Sequence, residues 1–216
     1  MTAPPRKEQK QRKPFPRQDY NYFLVLDFEA TCEKSTKIYP QEIIEIPVLK
    51  IHAKTFETEA IFHTYVQPTA NPILTPFCTE LTGITQDVVC GKPKIEEALK
   101  MLDKWMLDQG LLDGETAFVF VTCGDWDLKT MLPGQCKYFR LPIANYFKSW
   151  INIKRPFSEV VRPNIRVDLM EMLQMLDLEH HGRHHSGIDD TKNIANILQE
   201  LAKRGCKFKA TSGLTY

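Results

Sequence analysis

The apolar run Tyr22-Phe23-Leu24-Val25-Leu26 leads straight into Asp27-Phe28-Glu29. An unbroken apolar run this short reads as a strand buried on both faces, which calls for a sheet with cover above and below. Alternation along a strand sends Asp27 and Glu29 to one side and Phe28 to the other, where it reads as core. Two carboxylates at the tip of a buried strand repel each other and are costly to desolvate. A divalent cation that prefers oxygen ligands, such as Mg²⁺ or Mn²⁺, relieves both problems. So would an exposed loop just past the strand. The choice depends on whether the rest of the chain supplies further carboxylates and a base.

At 216 residues the chain suits one domain with short tails. Its net charge of +1 is unevenly spread. Residues 1–18 hold six bases and one acid, a net of +5, and the remainder holds 22 bases against 26 acids, a net of −4. The globular part therefore has no overall basic field, and nucleic-acid contact must come from local patches, a metal site or the tail. Six cysteines (32, 78, 90, 123, 136 and 206) are scattered without the close spacing of a zinc site and read as reduced thiols in an intracellular protein. No apolar stretch reaches membrane-spanning length, and Met1 to Gln18 has no apolar core of a secretory signal. Residues 1–20, rich in Pro, Lys, Arg and Gln, are expected to be a disordered basic tail. The tail suits a nuclear-import or RNA-contacting arm, or a solvated segment with no role.

The chain in order predicts a mixed sheet covered by helices. After the first strand and a polar loop over Ala30 to Pro40, residues 41–51 and 55–66 are β-rich and suggest an antiparallel meander, with Pro47 at an edge or bulge. Ile95, Ala98, Leu99, Leu102, Trp105 and Met106 repeat at helical spacing and predict a helix over Lys94–Gln109. Ala117 to Thr122 is a second buried strand, again ending near acids, in Cys123-Gly124-Asp125-Trp126-Asp127. Asp125 is placed to cap a short helix from Trp126 to Leu132, closed by Pro133-Gly134. Trp150–Ile153 suits a short strand, and Leu169, Met172, Leu173 and Leu176 mark a further helix. The final helix opens from His180-His-Gly-Arg-His-His-Ser-Gly-Ile-Asp-Asp190 and runs to about Arg204, with Gly205 just past its end.

In an open α/β sheet ligands gather at the carboxyl ends of the strands. Asp27, Glu29, Asp127 and one of Asp189 or Asp190 can converge there. Helical spacing puts Asp190 in line with Ile194, Ile197 and Leu201, the apolar face, and Asp189 in line with Asn193, Asn196 and Glu200, the polar face. Asp190 is therefore the inward acid and Asp189 a solvated first-turn acid that favours the helix dipole. The pairs His184/Asp189 and His185/Asp190 share one offset, so the same register selects His185. Four carboxylates and a histidine are the parts of two-metal phosphodiester hydrolysis.

Asp-Phe-Glu-Ala-Thr-Cys (27–32), Gly-Asp-Trp-Asp (124–127) and His-Ser-Gly-Ile-Asp-Asp (185–190) resemble, in that order, the three exonuclease motifs of the DEDDh superfamily. Gln41 to Glu45, Leu81 to Thr85 and Asp189 to Ile194 are similar to its ERI branch of 3′–5′ exoribonucleases. The likeness covers about residues 20–210. It implies a ribonuclease-H-like exonuclease fold over 21–210, with 211–216 as a C-terminal tail. It also implies release of nucleoside 5′-monophosphates from RNA 3′ ends with two Mg²⁺ ions, for which Mn²⁺ may substitute. Asp27 would bridge the ions, Glu29 and Asp190 would hold the water-activating one, Asp127 would support the second, and His185 would be the general base. The chain departs from the family at His184, where Pro is usual, which leaves two adjacent candidate bases. Pro156 to Leu178 also matches poorly. No SAP-type module is expected ahead of the domain, so stem-loop substrates are not carried over.

Leu81, Thr82 and Gly83 are candidates to cradle the terminal sugar, or form a structural turn. Trp126 suits base stacking or, by slight preference, packing under the acids. Lys129, Lys148, Lys154 and Arg183 are phosphate candidates, or plain surface. His180, His181, His184 and His185 invite a zinc reading, but Gly182 interrupts the helical spacing of His180 and His184 and no Cys pair accompanies them, so structural zinc is not expected. Two alternatives share the same residues: a DNA-preferring DEDDh exonuclease, and an RNA- or protein-binding scaffold with minor catalysis. The expected working unit is a monomer with no membrane partner.

Overall fold

Phe23, Leu24, Val25 and Leu26 of strand β1 (Tyr22–Leu26) are fully buried. The computed structural model, which describes residues 15–214, explains why. β1 pairs antiparallel with β3 (Ile43–His52) on one side and parallel with β5 (Phe118–Thr122) on the other. β5 pairs parallel with β6 (Ser149–Asn152), and β6 antiparallel with β7 (Ser212–Gly213). Across the sheet, β4 (Thr58–Tyr65) completes the antiparallel meander on β3. The two-residue β2 (Glu29–Ala30) carries the line of β1 onward along β3 after a break at Asp27-Phe28.

Helices cover both faces. Phe23, Val25, Val121 and Ile151 pack with Ile194, Ile197, Leu198 and Leu201 of α7 (Gly187–Lys203) and with α6 (Leu169–Met175) and α5 (Lys154–Val160). Leu24, Leu26, Phe28, Phe120 and Trp150 face α3 (Ile95–Asp108) and α4 (Leu132–Phe139). Each large side chain so buried contributes about 1.5–3 kcal/mol relative to exposure. The alternation places Phe28 in the α3/α4 core at 4% exposure, on the face opposite α7. α1 (Pro76–Thr82), capped by the Thr75 hydroxyl on the Cys78 N–H at 2.9 Å, and α2 (Gln86–Val89) fill the segment after the meander.

Several expectations change. The helix after β5 does not close at Pro133-Gly134. Asp127–Met131 form a π turn in which the Leu132 N–H donates to Asp127 O, and α4 continues from it. Pro133 then stands in the first turn of α4, where proline is tolerated. Asp125 is not the cap: its carboxylate accepts from Trp150 Nε1 at 2.9 Å. Pro47 lies on an interior strand, opposite the gap between β1, which reaches Val48, and β2, which reaches Glu45. The expected tail at 1–20 is ordered from Phe15 onward. Phe15 packs on Phe56 with ring centroids 4.7 Å apart and planes tilted at 46°, and buried Gln18 bonds the backbone of Cys206 and Phe208. Residues 1–14 lie outside the described segment. The expected C-terminal tail contributes β7, and α1, α2 and α5 had no counterpart in the sequence reading.

Candidate active site

Four backbone features deliver the acids. Asp27 leaves the end of β1, Glu29 sits on β2, Asp127 opens the π turn after β5, and Asp190 lies in the first turn of α7. Glu29, Asp127 and Asp190 are 9%, 4% and 3% exposed, too little for water to solvate their charges. The Phe28 N–H donates to Asp127 Oδ1 at 2.9 Å, tying the first strand to the π turn. The π turn is a one-residue slip in the helical ladder, a feature frequent at functional sites.

The electrostatics follow from this crowding. Burial, then the neighbouring Asp127, Glu29, Asp190 and Glu45, holds the Asp27 carboxyl well above its ordinary range. Burial, then Glu45, Asp190 and Asp127, pushes Glu29 up to about 9. Burial raises Asp127 to about 6 against the opposing Phe28 N–H bond. Oxygen donors that cannot comfortably all ionise are the donor set that a hard divalent cation matches.

The loop from His180 to Ser186 brings the histidines to these acids. The His185 N–H donates to Asp190 Oδ2 at 2.8 Å and holds His185 at φ +62°, a conformation uncommon outside glycine. A His185 ring nitrogen gathers with carboxylate oxygens of Glu29 and Asp190 within 4.8 Å of one another. His184 stacks on His185 at 3.9 Å but turns Nδ1 to Asp190 Oδ1 at 3.4 Å, beside His180. Burial, then the neighbouring His184, lowers the His185 pKa below 6.5, with Asp190 opposing and Arg183 reinforcing. A neutral imidazole at pH 7 is free to accept a proton. Asp189 faces outward, with Lys192 Nζ at 3.0 Å.

A family profile described as "Exonuclease" (RNase_T) matches residues 24–198. The nuclease domain of 3′hExo, a DEDDh family member bound to rAMP, is 36% identical, with a TM-score of 0.86 over 91% of this chain and 98% of that one. The chain belongs to the DEDDh exonuclease family. ERI1 exoribonuclease 3 of Mus musculus is 58% identical over 199 residues, 92% of this chain and 59% of that protein. 3′-5′ exoribonuclease 1 of Homo sapiens is 37% identical over 192 residues, 88% of this chain and 55% of that one. A 3′-exonuclease solved for 3′-end specific recognition of a histone mRNA stem-loop is 34% identical with a TM-score of 0.89, over 95% of this chain and 71% of that one. The chain thus spans a little over half the length of these curated relatives. The DEDDh exonucleases as a family depend on divalent metal.

The DEDDh domain adds residues that the sequence reading did not place in the site. Glu45, 1% exposed, accepts from the Gly187 N–H at 3.0 Å and the Ile188 N–H at 3.3 Å, capping α7 from a neighbouring strand, and pairs with His63 Nε2 at 2.7 Å. Gly187 must be glycine-sized: a Cβ there would sit 2.8 Å from Asp27 O and 2.9 Å from Glu45 Oε2. Asn193, expected on the polar face, is fully buried. It clamps His181 through its N–H (3.0 Å) and carbonyl (2.9 Å) and bonds Asp189 O (2.9 Å).

The substrate candidates fall differently. Gly83 is the left-handed cap of α1 at φ +76°, and Thr82 is buried with its hydroxyl on Cys78 O at 2.8 Å. Arg183, a phosphate candidate, instead lays its guanidinium over Gly83 and donates to Glu80 O and Leu81 O, linking α1 to the histidine loop. Trp126, expected to favour packing, is 41% exposed beside Asp127. Its neighbour Asp125 is the residue that turns inward, to Trp150.

Proposed function

We propose that this domain is a divalent-metal-dependent 3′–5′ exoribonuclease that hydrolyses the terminal phosphodiester and releases nucleoside 5′-monophosphates. The observation that carries the reading is the meeting of Asp27, Glu29, Asp127 and Asp190 from four elements beside His185. The four acids would hold two ions, Mg²⁺ with Mn²⁺ as substitute: Asp27 shared, Glu29 and Asp190 on one, Asp127 on the other. Bound ions would supply charge neutralisation and acidify the attacking water. His185 takes up the proton released as the water oxygen bonds to phosphorus, and the 3′-oxygen, its bond to phosphorus broken, takes a proton from solvent to leave as the 3′-hydroxyl of the shortened chain. Its lowered pKa keeps it in the accepting form at pH 7. Asp190 orients this base through the His185 N–H. Trp126, half-exposed beside Asp127, is free to stack on a base, and Leu81, Thr82 and Gly83 close α1, which Arg183 ties to the histidine loop.

RNA as the substrate is supported by the exoribonuclease names of the relatives and by the rAMP carried by the similar nuclease domain. One chain carries all the acids and the base, so a monomer suffices. Six free cysteines fit work inside the cell. End-labelled single-stranded RNA incubated with Mg²⁺ or Mn²⁺ should lose mononucleotides stepwise. EDTA or Asp27→Ala should stop it. Absence of metal-dependent mononucleotide release overturns the reading. A DNA oligomer degraded faster than RNA in the same assay would favour the DNA-preferring alternative.

A further inference from the structure

Asp190 also belongs to a second group of donors, with His180 and His184, two side chains that the proposed chemistry does not use. His180 Nε2 is buried with no hydrogen-bond partner, 4.0 Å from Asp190 Oδ1. His184 Nδ1 lies 3.4 Å from the same oxygen. The three donor atoms fall within 4.8 Å of one another, and the two imidazole rings stand at 89° to each other. An orphaned ring nitrogen in a buried position is a cost unless something binds it. Ligands at about 2.0–2.2 Å in a tetrahedral zinc site sit roughly 3.3–3.5 Å apart, so small side-chain rotations close this triangle on an ion.

We propose that His180, His184 and Asp190 form an exchangeable site for a borderline transition ion, with Zn²⁺ as the type, and that its occupancy inhibits the enzyme. Two imidazoles and one carboxylate select such ions over Mg²⁺, which prefers oxygen. Three protein ligands leave a fourth position open, and the side chain of His184 is 38% exposed, so the ion can come and go. The Gly182 break that argues against a structural zinc helix is no obstacle, because His180 and His184 approach from a turned loop. A metal-bound imidazole must offer its ring nitrogen free of a proton, so any proton on His184 Nδ1 leaves to solvent as the ion binds. The ion takes Asp190 Oδ1 away from the acid cluster while His185 still bonds Oδ2 through its backbone. The site rests on these contacts alone; the inhibition also rests on the exonuclease function proposed above.

Zn²⁺ affinity of the full chain, measured by competition with a fluorescent zinc chelator, tests the site. The wild type should bind one ion with His ligands. His180→Ala and His184→Ala should each weaken it at least tenfold, while His181→Ala, whose ring lies outside the triangle, should not. Thermal midpoints verify that each variant is folded, and either ligand variant alone is sufficient. Equal affinity in all four proteins, or no binding to the wild type, overturns the site. Exonuclease rates at saturating Mg²⁺ are then titrated with Zn²⁺. His180→Ala should keep the zinc-free rate and need at least tenfold more Zn²⁺ for half-inhibition. An unchanged inhibition curve in His180→Ala overturns the inhibitory role. A protein with no Mg²⁺-dependent activity refutes the exonuclease reading, and the chelator measurement still decides the site.

Discussion

Glu29 offers a measurement of what the acid cluster costs the fold. Its carboxyl is raised from 4.5 to about 9, chiefly by burial and then by Glu45, Asp190 and Asp127. A raised acid binds its proton more tightly in the folded state than in the unfolded one, so stability falls as pH rises between the two values. Each pH unit in that window costs about 1.4 kcal/mol. From pH 5.0 to 7.5 in EDTA, Glu29 alone should therefore remove about 3 kcal/mol. Glu29→Gln has no proton to hold and escapes this loss. The quantity to measure is the stability gap between Glu29→Gln and wild type, by urea unfolding followed by circular dichroism at several pH values. The gap should widen in favour of the variant by about 3 kcal/mol over that range, roughly 6–12 °C in melting midpoint for a domain of this size. Saturating Mg²⁺ should close or reverse it at pH 7.5, because the ion binds only the folded wild-type acids well. A gap independent of pH in EDTA would show that Glu29 is solvated like an ordinary carboxylate, and the argument for a metal-seeking cluster would fall with it.

The two histidines should separate in kinetics: His185→Ala should lose about 10²–10⁴-fold in turnover, while His184→Ala keeps most of it. The reverse ranking would move the base to His184. Asn193→Ala should destabilise by about 1–3 kcal/mol, because it strands the His181 N–H and carbonyl. Amide exchange should show faster opening of residues 180–186 in that variant, and unchanged protection would mean that the clamp is redundant. Gly187→Ala forces its Cβ to within 2.8 Å of Asp27 O. The start of α7 must move, at about 1–3 kcal/mol, and turnover should fall with it; a variant with wild-type midpoint and rate would show that the contact is slack.

Most of the fold was legible because its signals are local and dense. β1 and β5 read as buried strands, since residues covered on both faces must be apolar throughout. α3 and α7 read as helices from their apolar spacing. The continuation of the helix after β5 was not legible. Pro133-Gly134 has the composition of a helix stop, and only the π turn upstream lets Pro133 begin a helix instead. α1, α2 and α5 are seven residues or fewer and, unlike the equally short α6 with its Leu169, Met172, Leu173 and Leu176, carry no repeated apolar stripe for periodicity to register. The packing at 15–20 depends on Gln18 meeting a chain 188 residues away, which no local pattern encodes.

The acids and the histidine loop were legible to different degrees for a related reason. Each acid sits at an end of a regular element, so the element's register dictates its direction, and the same register distinguished Asp190 from Asp189. The loop has no register of its own. Its shape is imposed by three side chains of the helix that follows and by its own Arg183. Asn193 holds His181, Asp189 accepts the Arg183 N–H at 3.1 Å, Arg183 reaches α1, and Asp190 holds the His185 N–H. Fixed at these points, the loop presents the His184/His185 pair with its rings stacked, His185 grouped with Glu29 and Asp190 and His184 with His180 and Asp190. The two histidines that sequence spacing made near-equivalent are thereby given separate neighbours. Their difference in chemistry is a consequence of tertiary anchoring rather than of residue type.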